Sequence, residues 1–154
     1  MKDFKVSHVA CGAAHTLLID TNGLLYSTGS NSCGQLGRID DTLTGVNGKF
    51  TLIPLPKNNL NNNSKNNLES NLCAYVSCGE EYSCVITRSR SVFVWGLGIV
   101  GQMGDGKMTG YSTPHLVQDL EGKSIDSLSC SQGKHCFASV FFCHGNDWFL
   151  QLDC

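Results

Sequence analysis

The chain has 154 residues, 41% of them apolar, and its 11 basic and 13 acidic side chains leave a net charge of −2. That length can bury a real core, and the near-neutral charge excludes a general electrostatic pull toward nucleic acid or an anionic membrane. No apolar run reaches the ~18 residues of a membrane-crossing helix, and Met1-Lys2-Asp3-Phe4-Lys5 lacks the apolar block of a secretory signal; an intracellular protein, cytoplasmic or nuclear, is expected.

Taken in chain order, residues 4–10 read as a strand leading into Cys11-Gly12. Residues 15–20 and 24–29 then form a hairpin around Thr21-Asn22-Gly23, because Asn-Gly tolerates the positive φ angles of a tight two-residue turn. Gly29 is followed at fixed spacing by Gly34-Gln35-Leu36-Gly37, a compact loop whose backbone Gln35 is expected to bond. A fourth strand is expected at residues 51–55, where Pro54 suits an edge. Eight of the fourteen residues from Asn58 to Asn71 are asparagine, a polar tract unable to offset its ordering entropy by apolar burial. It reads as a disordered surface loop.

The order of residues then starts again. Val9-Ala10-Cys11-Gly12 returns as Val76-Ser77-Cys78-Gly79, and Gly34-Gln35-Leu36-Gly37 as Gly101-Gln102-Met103-Gly104, both displaced by 67 positions. The second copy predicts strands at 72–77, 82–87, 91–96 and 114–117, with the glycine-less tip Arg88-Ser89-Arg90. A third copy opens with a strand at 125–129 and Cys130-Ser131, aligned to the first at a displacement of 119. Its Gln151-Leu152 aligns at 116, so its hairpin tip is lost. No segment shows a helical period. Four short strands in about 50 residues is the arithmetic of a propeller blade.

The fold class is therefore all-β: a partial β-propeller of about three four-stranded antiparallel blades. The expected divisions are 1–56 for the first repeat, 57–71 for the Asn-rich loop, 72–120 for the second repeat and 121–154 for the degenerate third.

The chemistry-bearing residues point away from catalysis. Of nine cysteines, Cys11, Cys78 and Cys130 share one repeat position, and Cys84 and Cys136 share another where the first copy has Leu17. A cysteine that exchanges with leucine behaves as a small buried apolar residue, and no Cys-x-x-Cys spacing suggests a metal. His15 shares its repeat position with Tyr82, and His135 stands one residue past that position in the third copy, which suggests hydrogen-bonding structural histidines, with partner contact as the alternative. The Gly-x-Gly-x-x-Gly run from Gly96 to Gly101 lacks a following helix, so no nucleotide cofactor is implied. No catalytic residue, cofactor or metal is expected, and the chain does not read as an enzyme. Two loops are candidates for partner binding, each weighed against a merely solvated loop. Glu80-Glu81 replaces Ala13-Ala14 of the first copy and would meet a basic partner; Arg88 and Arg90 would meet phosphate or an acidic one.

The whole pattern Val-x-Cys-Gly-x-x-His-Thr-Leu-x-Ile-Asp-x-x-Gly-x-Leu-Tyr-x-x-Gly-x-Asn-x-x-Gly-Gln-Leu-Gly, from Val9 to Gly37, resembles the regulator of chromosome condensation repeat family. The resemblance implies blades of a propeller that is seven-bladed in full members. It also implies a protein partner: some members are guanine-nucleotide exchange factors for Ran-type small GTPases and bind chromatin. Others are scaffolds, or recognition modules joined to ubiquitin-ligase, BTB or kinase domains. Exchange would need no nucleophile, since it works through differential affinity, but no segment matches the loop that exchange-active members use. The expected function is thus a non-enzymatic protein-interaction module. The alternatives are an exchange factor for a Ran-type GTPase and a truncated fragment without independent activity. About three blades would leave open strand edges and an apolar face, which favours self-association.

Overall fold

Both intact copies fold as four-stranded antiparallel meanders in a computed structural model that describes residues 5–39, 46–56, 71–123 and 125–131. Strands β1 (Val6–Cys11), β2 (His15–Asp20), β3 (Leu25–Ser30) and β4 (Val46–Leu52) make the first sheet in chain order. Strands β5 (Cys73–Cys78), β6 (Tyr82–Thr87), β7 (Val92–Gly96) and β8 (Tyr111–Leu116) make the second. Among the described residues helical structure is confined to a single 3-10 turn at Gln118–Leu120. The repeat holds even in its irregularities. Register slips between Val6 and His8 and between Cys73 and Tyr75, and again between Ser27 and Gly29 and between Val94 and Gly96.

Three local expectations are corrected. The first hairpin closes over three residues rather than two, because the Asp20 N–H already bonds the Leu24 carbonyl at 3.0 Å. The Asp20 carboxylate organises that tip, accepting from the backbone N–H of Asn22 and of Leu24 at 2.9 and 2.8 Å. The Thr87 hydroxyl takes the same part in the second copy, accepting from Ser91 N–H at 3.1 Å, and Arg90 adopts φ +70° where Gly23 has +90°. The fourth strands also start earlier than the apolar run suggests, at Val46 and Tyr111, since pairing with β3 and β7 sets their extent. Pro54 falls outside β4, while Pro114 sits within β8, the outermost strand of its sheet, where a missing N–H is tolerated. Finally, residues 125–131 form no strand among the described residues. Their partner by repeat register, residues 134–139, lies outside the described set. So do the asparagine tract from 57 to 70 and the third copy beyond 131.

The two blades stack face to face. Val85, Phe93 and Trp95 on β6 and β7 pack with Leu17, Ile19, Leu25 and Ile53 of the first blade, together with Cys73, Val76 and Cys78 of β5. The alternate residues Cys84, Ile86, Val92 and Val94 face the opposite way and are covered by Val117, Leu120, Ile125 and Leu128. A sheet buried on both faces needs apolar residues at consecutive positions, not at every second one. That explains the unbroken run Val92-Phe93-Val94-Trp95. The first blade is treated differently: Val6 and Val9 are 45% and 57% exposed, whereas their repeat equivalents Cys73 and Val76 are 3% and 5% exposed.

Candidate interaction surface

The meander order puts the connections at two opposite ends of the blades. One end carries the β1–β2 and β5–β6 turns (residues 12–14 and 79–81) and the long loops after β3 and β7; the other carries the hairpin tips 21–23 and 88–90. Glu80 and Glu81 therefore lie at one end of β6, and Arg88 and Arg90 beyond its other end. The two charged pairs singled out by sequence do not form one site.

A shared framework supports the acidic end. In each copy the glycine of Cys-Gly donates its N–H to the carbonyl three residues on, Gly12 to His15 and Gly79 to Tyr82, both at 2.9 Å. A β-carbon at either glycine would strike the imidazole of His15 or the phenol ring of Tyr82. Glycine is needed here because a ring folds back over the backbone. In the following loop, the Gln35 side-chain carbonyl accepts the Cys33 N–H at 2.8 Å and Gln102 accepts the Val100 N–H at the same distance. Both glutamines are buried, as their expected loop-bonding role requires. Gln151 of the third copy lies outside the described residues.

A buried relay joins the blades under this framework. The Ser83 hydroxyl donates to the Gln35 carbonyl at 2.9 Å, and the Trp95 indole N–H donates to the same oxygen at 2.9 Å. With its proton so used, Ser83 Oγ accepts from His15 Nε2, 2.9 Å away. That assigns the His15 proton to Nε2 and leaves Nδ1 a buried acceptor. Burial pushes the His15 imidazole down to about 4, a backbone hydrogen bond to Tyr82 opposing it. His15 is 3% exposed, so its reading as a partner contact is corrected: its ring nitrogen is already bonded to the neighbouring blade. Tyr82, at the same repeat position, reaches forward in the same manner to the Ser131 carbonyl at 3.5 Å. Sequence reasoning missed Ser83 and Trp95, which replace Thr16 and Thr28 of the first copy. Their departure from the repeat was the available signal.

Glu80 is exposed, and its carbonyl accepts the Ala13 N–H at 3.0 Å, tying the two acidic-end turns together. Glu81 is partly exposed and its carbonyl accepts the Leu97 N–H at 2.9 Å. At the other end the Arg88 guanidinium lies over Gly23 of the first tip. Arg90 donates to the Ile125 carbonyl at 3.1 Å and pairs with Asp126. Its charge is turned toward the chain's own third repeat. His135 lies outside the described residues.

A cleft of about 590 Å³ opens between the two long loops at the acidic end. Asn31, Ser32 and Arg38 line one side; Leu97, Tyr111 and Ser112 line the other. At its rim, burial raises the Cys33 thiol above its ordinary range, with the Glu81 carboxylate adding to the rise. Behind the cleft the Tyr111 hydroxyl donates to Asp105 at 2.5 Å and stacks on His115 with ring centroids 3.9 Å apart. The Tyr111 hydrogen bond holds the Asp105 carboxyl below the usual carboxylate range. Lys107 completes the group, 3.5 Å from both the phenol and the carboxylate. This cluster staples the loop to β8 and was not apparent from the repeats. Among the described residues no three His, Cys, Asp or Glu side chains converge as metal ligands, and no helix is long and apolar enough to cross a membrane.

Residues 6–35 and 91–138 each match the Regulator of chromosome condensation (RCC1) repeat. The chain belongs to the regulator of chromosome condensation repeat family. Within that family of repeats it is 29% identical over 140 residues to the human probable E3 ubiquitin-protein ligase HERC3, covering 91% of this chain and 12% of the ligase. It is 35% identical over 122 residues to human probable E3 ubiquitin-protein ligase HERC6, covering 79% of this chain and 10% of that protein. The chain thus spans about a tenth of the length of these curated relatives. Human WBSCR16 superposes with a TM-score of 0.63 at 25% identity, over 79% of this chain and 28% of WBSCR16. A chain in the crystal structure of Kap60 bound to yeast RCC1 (Prp20) superposes with a TM-score of 0.67 at 17% identity, over 86% of this chain and 29% of that one. Prp20p of Saccharomyces cerevisiae, studied for its binding to Gsp1p and histones, superposes with a TM-score of 0.59 at 18% identity, over 77% and 26%. These likenesses identify the blade architecture as that of a regulator of chromosome condensation repeat propeller.

Proposed function

We propose that this repeat protein is a non-enzymatic protein-interaction module, working inside the cell in the cytoplasm or nucleus, whose docking face is the Glu80-Glu81 end of the blades. One observation carries the reading. The framework bonds of Gly12 and Gly79 and of Gln35 and Gln102 are the same in both blades, while the turns they support differ, Ala13-Ala14 against Glu80-Glu81. A rigid frame bearing variable tips is how a repeat protein acquires a specific partner. The acidic pair beside the cleft suits a basic protein surface. A photo-crosslinking residue in place of Glu80 is expected to capture a protein partner, and one in place of Arg88 is not. Loss of the adduct in Glu80→Lys/Glu81→Lys would complete the case, and equal capture from both ends would end it.

A second reading is a Ran-type small GTPase as that partner, with nucleotide exchange as the activity. It is supported by the blade likeness to Prp20p, studied for its binding to Gsp1p. Purified protein mixed with a Ran-type GTPase carrying fluorescent GDP separates the two: faster release supports exchange, while binding without release supports scaffolding.

A further inference from the structure

We propose that Cys84 and Cys130 form a reversible disulfide that clasps residues 125–131 onto the second blade. Their sulfurs lie 3.1 Å apart, and a disulfide needs about 2.05 Å, so closing the bond requires roughly an ångström of movement. The pair is specific to one interface. Between the first and second blades the equivalent positions hold Leu17 and Cys78, and Cys78 instead directs its thiol to the Ala10 carbonyl at 3.5 Å. Only where the third repeat meets the second do two cysteines face one another among the described residues.

The two thiols differ in access. Cys84 is 3% exposed, while Cys130 is partly exposed at the edge of the covering segment, where its N–H donates to the Ser77 hydroxyl at 3.2 Å. The hydrogen bond from Cys84, opposed by burial, holds the Cys130 thiol below its ordinary range, and the thiolate is the reactive form. With hydrogen peroxide as oxidant, Cys130 thiolate attacks one oxygen, the O–O bond breaks, and the departing hydroxide takes up the proton that Cys130 had released. The resulting sulfenic acid is attacked by the Cys84 sulfur. Its S–O bond breaks, and the oxygen leaves as water with the Cys84 proton. Two thiols lose two protons and two electrons, and peroxide becomes two waters. A dithiol reverses the bond by exchange.

The consequence is mechanical. Ile125 and Leu128 cover the outer apolar face of the second blade, and the bond would tether that cover to β6 across a 46-residue separation. Constraining so long a loop raises stability.

The reduced protein is treated with hydrogen peroxide, blocked with iodoacetamide, and digested without reductant. A Cys84–Cys130 linked peptide is expected as the main product, with Tm raised by about 5 °C or more and restored by dithiothreitol. Cys130→Ser and Cys84→Leu should lose both effects. The second variant installs the residue found at position 17, so its packing survives. Cys11→Ser should keep both. Absence of the linked peptide overturns the proposal. So does a main product joining either residue to another cysteine, and so does a linked product with unchanged Tm.

Discussion

His15 of the first blade and Ser83 of the second are hydrogen-bonded at 2.9 Å inside the blade boundary, where burial disfavours a charged imidazole and the second ring nitrogen has no partner. Folding therefore opposes protonation. The imidazole titrates near 4 in the folded chain against an ordinary 6.5. Because the unfolded chain takes up the proton first, stability is complete above pH 6.5 and falls as pH drops from 6.5 towards 4. The loss should approach about 2–3 kcal/mol at the acid end of that window. Urea denaturation of the wild type and of His15→Gln, which retains a donor, should diverge across this window and run parallel above it. Parallel curves throughout would refute the assignment.

Gly37 and Trp95 make a second test of the boundary. A β-carbon at Gly37, where φ is +69°, would lie 2.6 Å from the Trp95 indole nitrogen. Gly106 has a similar φ of +72° with nothing within 4 Å of such a carbon. Gly106→Ala should cost about 1 kcal/mol from backbone conformation alone. Gly37→Ala should cost roughly 2 kcal/mol more, because it also disturbs the indole's bond to Gln35. Equal losses in chemical denaturation would show that Trp95 does not depend on that close approach.

Arg90 stands at φ +70° where the first copy uses glycine. Arg90→Gly relieves about 1 kcal/mol of backbone cost but gives up the Ile125 bond and the half-exposed Asp126 pair, which are worth a similar amount together. Near-neutral stability is expected. Arg90→Val, β-branched at positive φ and without the bonds, should lose at least about 2 kcal/mol. A Val variant as stable as wild type would disprove the left-handed tip.

Val6 and Val9 form an apolar face whose repeat equivalents, Cys73 and Val76, are buried against a neighbouring blade. Left uncovered, that face should drive self-association. Val6→Asp/Val9→Asp should weaken association about tenfold or more in sedimentation velocity while changing the melting temperature little, since both side chains already face solvent. Unaltered association would place the contact elsewhere.

Much of this architecture was legible in the residue order. Constant spacing between copies located the strands, the glutamines that bond their loops and the family. The site was harder to see. Glu80 and Arg88 are eight positions apart in sequence, and β6 runs between them and separates them by its full length. His15 read as an exchangeable polar residue because its acceptor, Ser83, lies 68 positions away. The Asp105–Tyr111 bond and the facing Cys84 and Cys130 were hidden for the same reason. Neither pair follows a spacing that the repeats share.

Sequence by itself determined the order of the strands and the glycine loops of the two described blades, because alternation and glycine placement act within a few residues of chain. Tertiary structure alone decided which faces are covered. Val9 and Val76 occupy the same place in the same repeat, yet one meets solvent and the other a packed sheet. Burial is a property of what lies alongside a residue, and a repeated sequence supplies the same residue without supplying the same neighbour.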